Sequence, residues 1–387
     1  MTDPQNWQPP SSAAPEDRVS EQQYGPPGTP TSSAWAPPPK PGLIPLRPLA
    51  FGTLMFAPFQ VLRRNPKATF GSALIVQAVV VFLTVIVMGL VAWWADTRIS
   101  SAPLDEQGTV EAGATATLLL SALIPLALSV VGAALMQGVI VTEVARATLG
   151  EKLRLPRLVR LVAPRFPLLV LWTVVLSGGF LIAAAALIAI VVLLVALGGG
   201  LWLALGIVTA VVGGLALVAV GLWVFTRTSI VPSLIVLERL GVRAAVRRSW
   251  SLTRGYFWRT FGVQALISII VGTITQIVTL PFVIGFTWLT SLVDPTAALD
   301  AYIPAIITYV ALLCVTLVLS AIGTVLQSAA IALIYLDLRM RKEGLDLELA
   351  RFVESSQTGV DLPDPYLVVL PVASDSAPAS PAAPSAV

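Results

Sequence analysis

The feature that most limits the possible folds of this chain is the spacing of its charged residues. Five intervals carry no charge, and each is long enough for at least one helical crossing of a bilayer, which takes about 20 residues. They cover residues 68–95, 112–142, 166–226, 260–293 and 301–336. Only 12% of the residues are charged and 56% are hydrophobic, whereas a soluble domain needs roughly twice that share of charge. The pattern predicts an all-α integral membrane protein.

The third interval, residues 166–226, is too long for one crossing. As a single helix it would extend about 90 Å, at ~1.5 Å per residue. Gly198-Gly199-Gly200 near its middle favours a tight turn between two helices. The sequence therefore predicts six transmembrane helices as three hairpins. Their expected bounds are about 68–94, 115–142, 167–197, 201–226, 260–285 and 304–336.

The basic residues fall almost entirely on one side of these six crossings. Of the 24 Lys and Arg residues, all except Arg98 lie in the two tails or in the loops that share their side. The positive-inside rule makes that side cytoplasmic. We therefore expect a multi-pass protein of the plasma membrane with both termini in the cytoplasm, and we expect no nucleic-acid binding, because these charges lie at the membrane surface.

Both ends of the chain differ in composition from the apolar middle. Residues 1–45 are rich in Pro, Ser, Gln and Gly, and residues 353–387 are rich in Pro, Ala and Ser. Segments of this kind cannot bury enough apolar surface to offset the entropy lost on ordering. The sequence predicts two disordered cytosolic tails around a transmembrane domain at 46–352.

A short basic, amphipathic segment precedes the first helix of each predicted hairpin. These segments begin near residues 59, 155 and 242, and the helices that follow them begin about 95 residues apart. The pattern indicates an interfacial helix followed by a transmembrane hairpin, repeated three times. Duplication and independent origin of the three units both remain open.

The third of these segments, residues 240–259, has the clearest separation of faces. Val242, Val246 and Trp250 face one way on the expected helix, and a group of arginines faces another. We expect contact with an anionic inner leaflet, with docking of a cytosolic protein or binding of a substrate phosphate as alternatives. The residues predicted to make such contacts are Arg63, Arg64, Lys67, Arg243, Arg247, Arg248, Trp250, Arg254 and Arg259.

Uncharged polar residues also recur inside the predicted helices at helical spacing. They are Ser121, Ser129, Gln137, Gln264, Gln276, Ser320, Thr324 and Gln327. One interpretation is a polar path or a headgroup cleft between the second, fifth and sixth helices. The alternative is that small and hydroxyl side chains allow close helix packing and hydrogen bonding across helices.

The composition argues against catalysis. The chain has no histidine and a single cysteine, Cys314, so histidine acid–base chemistry and an intramolecular disulfide are excluded. No nucleotide-binding motif, metal-ligand cluster or intramembrane carboxylate is present in the uncharged intervals. We therefore expect no enzymatic activity, no cofactor and no metal, and the missing intramembrane charge weighs against an ion-driven pump.

Four stretches at the basic ends of the predicted helices resemble a known family. They are residues 42–49, 63–69, 240–259 and 335–346. They are similar to those of actinobacterial multi-pass proteins related to the membrane domain of glycerophosphoryl diester phosphodiesterases, over about residues 42–352. The resemblance implies a Pro-rich cytosolic N-terminus and a six-helix membrane domain. The catalytic domain of such enzymes uses histidines and carboxylates, and no catalytic residue carries over to this chain.

These observations together favour a non-catalytic membrane protein, a scaffold or accessory subunit in cell-envelope or lipid-related machinery. The alternative is a permease-like subunit that moves a lipid or small molecule. A water-accessible cavity lined by the polar helix faces would favour transport, whereas a tightly packed bundle would favour the scaffold.

Overall fold

A computed structural model describes residues 43–45, 47–103, 105–293, 299–358 and 363–367. Regular structure in these ranges is helical. The α-helices are α1 (Phe51–Arg64), α2 (Phe70–Ser100), α3 (Gln107–Ser121), α4 (Leu123–Thr148), α5 (Leu155–Val162), α6 (Phe166–Ala196), α7 (Gly200–Thr228), α8 (Val231–Leu237), α9 (Val242–Thr253), α10 (Phe257–Ser291), α11 (Ile303–Glu343) and α12 (Leu345–Thr358). Short 3-10 turns lie at Ala163–Arg165 and Leu299–Tyr302.

Within the described ranges, six helical segments are long and apolar enough to cross a membrane. They are Phe70–Ser100, Gln107–Thr148, Leu155–Ala196, Gly200–Leu237, Phe257–Ser291 and Ile303–Glu343. Antiparallel packing of α2 on α3, α6 on α7 and α10 on α11 forms the three hairpins. The expected all-α membrane fold is confirmed.

The second span consists of two helices rather than one. The chain turns at Ala122, between α3 and α4, three residues before Pro125. Proline lacks the N–H that would bond to the carbonyl of Ser121, and its ring would clash with that carbonyl in a continuous helix. The break therefore has a local cause in the sequence.

The long apolar interval turns at the predicted glycines. Gly198 and Gly199 have φ values of +73° and +85°, which residues other than glycine rarely adopt. Beyond this turn α7 returns against α6, and at Gly213 a Cβ would lie 2.5 Å from a methyl carbon of Leu187. Glycine at position 213 thus permits the close approach of the two helices.

Burial is concentrated at the end of the bundle where α1, α5, α8, α9 and α12 lie, here called the basic end. In α11 the buried residues are densest between Ala321 and Met340, and in α4 they begin at Gly132. By contrast, α6 buries only Leu169 and Trp172. The apolar side chains exposed elsewhere on the spans face the bilayer, where their exposure carries no hydrophobic penalty.

The three predicted amphipathic helices are present as α1, α5 and α9, each before the first span of a hairpin, although α1 begins at Phe51 rather than near residue 59. They do not lie free of the bundle. Helix α1 packs on α10 and α11, α5 packs on α4, and α9 packs on α7, α8 and α11. Apolar residues on the inner side of each helix are buried, such as Leu54, Leu158 and Leu252.

Both predicted tail boundaries differ from the structure. Leu43 and Ile44 are buried, and the Leu43 N–H donates to the carbonyl of Ala147 over 3.1 Å. Residues 1–42 of the predicted tail lie outside the described residues. At the other end, α12 continues past residue 352 to Thr358. Leu345 and Leu349 bury its inner face, which is why order extends beyond the predicted boundary.

Candidate interface at the basic end

Asp337 joins three separate parts of the chain at the basic end. Its side chain is buried at the end of α11 and accepts a hydrogen bond of 2.8 Å from the backbone N–H of Leu49. Arg259 and Arg341 form ion pairs with Asp337 at 3.2 and 3.0 Å. Both arginines also donate to the carbonyl oxygen of Leu49, over 2.6 and 2.7 Å. The segment before α1, the start of α10 and the end of α11 are thereby held together.

Glu238 forms a second centre, in the turn between α8 and α9. Its carboxylate pairs with Arg248 and lies 3.6 Å from Arg339, while the hydroxyl of Tyr335 donates to it over 3.1 Å. Burial raises the pKa of Glu238 from its ordinary value, and the two arginines oppose that rise. Glu343 extends the network by pairing with Arg248 and Arg339, each at 2.9 Å.

Glu143, on α4, anchors the loop that follows α1. Asn65 donates from its amide to Glu143 over 2.9 Å and to the carbonyl of Leu153 over 3.1 Å. Arg64 donates to the carbonyl of Ala147 over 3.0 Å. The first interfacial helix is therefore bound to the end of the second span.

A short C-terminal segment, residues 363–367, packs on the same end of the bundle. The Tyr366 hydroxyl donates to the carbonyl of Ala145 over 2.8 Å and contacts the hydroxyl of Thr148. Asp364 pairs with Arg146, and Arg339 donates to the carbonyl of Tyr366 over 3.3 Å. Burial raises the pKa of Tyr366, so its hydroxyl stays protonated and available as a donor.

A basic groove, called the α9 groove, lies between α9 and the end of α11. It has a volume of about 560 Å³ and is lined by Arg243, Val246, Arg247, Trp250, Ser251, Arg254 and Lys342. Val246 and Trp250 therefore share this groove with the arginines, so the predicted separation of faces is wrong for these two residues. The lining contains four cationic residues and no carboxylate. Lys342 donates to the carbonyls of Ser251 and Arg254, each over 2.8 Å, and so stabilises the carboxyl end of α9.

The structure separates the predicted leaflet-contact residues into two groups. Arg64, Arg248 and Arg259 have intramolecular partners, as described above. The others remain accessible: Arg243, Arg247, Trp250 and Arg254 line the α9 groove, and Arg63 and Lys67 are exposed near α1. Contact of this second group with a leaflet or a protein stays a prediction.

The predicted polar residues inside the spans do not converge on one site. The hydroxyls of Ser121, Ser129 and Thr324 donate to carbonyls of their own helices, over 2.8 to 2.9 Å. Ser320 is half-buried, with its carbonyl accepting from Thr324; Gln137 is half-buried and Gln276 is exposed. Gln264 donates to the hydroxyl of Ser229 over 2.8 Å. Gln264 and Gln327 do meet, at a pocket of about 20 Å³ between α7, α10 and α11.

The sequence analysis missed the buried carboxylates and Tyr366. Glu143 and Asp337 each stand directly after an uncharged interval, at 112–142 and 301–336, and each lies on a helix that continues beyond it. A carboxylate in that position, among arginines, is a signal of internal pairing. Nothing in the sequence indicates the partners, which lie 78 and 288 residues away.

Over the ranges that the structure describes, no three His, Cys, Asp or Glu side chains form a group that could hold a metal ion. Cys314 is exposed on a span. The exposed arginines, Lys342 and Trp250 that line the α9 groove suit anionic groups.

Comparison with known proteins identifies part of this arrangement. No curated protein and no solved structure matches the chain. A family model does match, over residues 207–359 of this chain. The matched region includes most of α7 and all of α8 to α12, with Glu238, Arg248, Arg259 and Asp337. The resemblance inferred from the sequence is confirmed over this region: the chain is a multi-pass membrane protein whose C-terminal part matches the family described as the membrane domain of glycerophosphoryl diester phosphodiesterase.

Proposed function

We propose that this protein is a non-catalytic scaffold or accessory subunit of the plasma membrane that serves cell-envelope or lipid-related machinery. In this proposal the basic end faces the cytoplasm, in agreement with the distribution of Lys and Arg. One observation carries the proposal: polar and apolar burial are both concentrated at the basic end, where distant segments are joined into one layer.

The ion pairs in this layer suit a surface of fixed shape. Buried ion pairs contribute little net stability, because desolvation of the charges offsets their attraction. They do make alternative arrangements costly, since a shift of α9 would separate Glu238 from Arg248, and a shift of α11 would separate Asp337 from Arg259. A layer fixed in this way can present the exposed Arg243, Arg247 and Arg254 in a constant geometry to a leaflet or a protein.

The spans support transport less well. Three of the predicted polar side chains bond to the backbone of their own helix, which satisfies them without a neighbouring cavity. The pocket at Gln264 and Gln327 has about the volume that one water occupies. A permease-like activity remains the alternative, and reconstitution can detect it.

The scaffold is tested by photocrosslinking in cells. A photoreactive amino acid replaces Leu347, which is exposed at the basic end outside the α9 groove, or Leu119 at the opposite end of the second span as a control. We expect a discrete protein adduct from position 347 and none from position 119. The permease would instead be established by two results together. These are the absence of a protein adduct at the basic end, and a flux of lipid or solute in proteoliposomes that empty vesicles do not show.

The absence of catalysis is tested with the purified protein. We expect no hydrolysis of glycerophosphodiesters with or without divalent metal, because the chain lacks the histidines of the related catalytic domains. The decisive comparison is activity across purification fractions. Hydrolysis that follows the protein through every fraction and is lost in an Asp337→Asn or Glu143→Gln variant that still folds would contradict the proposal.

A further inference from the structure

The cations of the α9 groove converge, and no carboxylate of the described residues pairs with them. General attraction to a charged surface does not require such an arrangement. Arg243, Arg247 and Arg254 are exposed and line one groove with Lys342. Arg248, on the same helix, is not part of the groove lining and is paired with Glu238 and Glu343. Helix α9 thus divides its arginines between a structural side and an open side.

The wall of the groove is aromatic and continues toward the bilayer. Trp250 lines the groove and packs edge-on against Trp223 of the span α7, with ring centroids 5.1 Å apart. Trp223 is 44% exposed near the end of that span. Tryptophan at the end of a transmembrane helix is typical of the boundary between headgroups and acyl chains, which is also where a phospholipid carries its phosphate.

Arg227 adds a second polar group behind this wall. Its guanidinium lies 5.5 Å from the ring of Trp250 and 5.4 Å from that of Phe257. Its Nε and Nη1 atoms are shielded from solvent and have no acceptor among the described protein atoms. Arg227 does not itself line the groove, and its cation–π contact helps to hold the ring of Trp250 in place.

We propose that the α9 groove is a binding site for the phosphate of an anionic phospholipid, with the acyl chains against the exposed apolar face of α7. The guanidinium groups of Arg243, Arg247 and Arg254 match phosphate oxygens through paired, charge-assisted hydrogen bonds. This inference rests on the proposed cytoplasmic position of the basic end and adds to it a defined ligand. Soluble phosphate would use the cations but not the Trp223–Trp250 wall, which is why the lipid is favoured.

The proposal is tested by native mass spectrometry of the purified full chain in a neutral detergent, with dioleoyl phosphatidic acid as the probe. As the phosphatidic acid concentration is raised, we expect the complex with one lipid to saturate before a complex with two lipids appears. We expect phosphatidylcholine to bind far more weakly. The double variant Arg243→Gln/Arg247→Gln should bind phosphatidic acid at least about tenfold more weakly, because each charge-assisted contact contributes about that factor.

The matched control is Arg157→Gln/Arg160→Gln on α5, which removes the same charge from two exposed arginines of another interfacial helix. We expect it to bind as the wild type does. Equal weakening by both double variants would show diffuse attraction and would overturn the site, while leaving the crosslinking test of the scaffold unaffected. Unchanged binding by the α9 variant would overturn it as well.

Two further arms complete the test. Millimolar inorganic phosphate should not displace phosphatidic acid, and displacement would show a site for soluble phosphate instead. If the glutamine variant does not fold, Arg243→Lys/Arg247→Lys replaces it, since lysine keeps the charge but loses the paired hydrogen bonds. Weaker binding by the lysine variant supports the proposal, and wild-type binding contradicts it.

Discussion

The backbone N–H of Leu49 donates a 2.8 Å hydrogen bond to the side chain of Asp337, 288 residues later in the chain. The carbonyl of Leu49 accepts from Arg259 and Arg341, the two arginines that pair with Asp337. Leu49, which lies just before α1, therefore completes an ion-pair network at the end of the last span. The folded basic end depends on contacts between the first and last segments of the membrane domain.

Replacement of Asp337 by Asn should destabilise the protein strongly. Asparagine preserves the size and one acceptor for Leu49, but it leaves two partly buried arginines without their counter-charge. Loss of one member of a buried ion pair costs on the order of 3 kcal/mol. Unfolding in detergent by SDS or heat measures the loss. Glu348→Gln, on the exposed side of α12, is the control; equal stability of the two variants would show that Asp337 has no such role.

Replacement of Tyr366 by Phe should release residues 363–367 while the bundle stays folded. The change removes a buried hydroxyl bonded to the carbonyl of Ala145 and to Thr148, worth about 1 kcal/mol. Hydrogen exchange should rise at 363–367 and at the end of α4. Tyr309→Phe, at an exposed tyrosine near the opposite end, should change neither region. Unaltered exchange in the Tyr366 variant would mean that the segment is held by other contacts.

The stability of the basic end should depend on pH through Glu238. Because burial raises its pKa in the folded protein above the ordinary value of 4.5, the folded state binds the proton more tightly than the unfolded state. Stability from this group is therefore greatest at low pH and falls as pH rises from about 4.5 through the raised pKa.

The measurement for Glu238 is a subtraction. The unfolding free energy of Glu238→Gln is subtracted from that of the wild type at each pH, which cancels the titration of all other groups. We expect the difference to decline with rising pH across that window. A difference that increases with pH would show that Arg248 and Arg339 outweigh burial and lower the pKa instead.

Topology can be tested with two matched cysteines. Cys314 is first replaced, and single cysteines are placed at Gly108 or Gly241, where an added Cβ meets no atom within 4 Å. We expect a membrane-impermeant maleimide to label position 108 in intact cells and position 241 only after lysis. Labelling of position 241 from outside would contradict both the six-span topology and the cytoplasmic position of the basic end.

The spacing of charges was sufficient to predict the six crossings and the three interfacial helices. A bilayer accepts only helices with satisfied backbones over a fixed thickness, so composition and interval length determine these elements locally. The turn at Gly198 and Gly199 was predictable for the same reason, because the apolar interval is too long for one span. The break at Ala122 also has a local cause in Pro125, although the expected bounds placed one helix there.

The roles of individual arginines were not determined in this way. Arg247 and Arg248 are neighbours in an amphipathic segment, and sequence reasoning assigned both to the membrane surface. A helix turns about 100° per residue, so the two side chains point in different directions, and packing directs Arg248 toward Glu238 and Glu343. Its partner Glu343 lies 95 residues away, at a distance in sequence that no local pattern spans. Only the tertiary structure brings that carboxylate to Arg248 and leaves Arg247 open in the α9 groove.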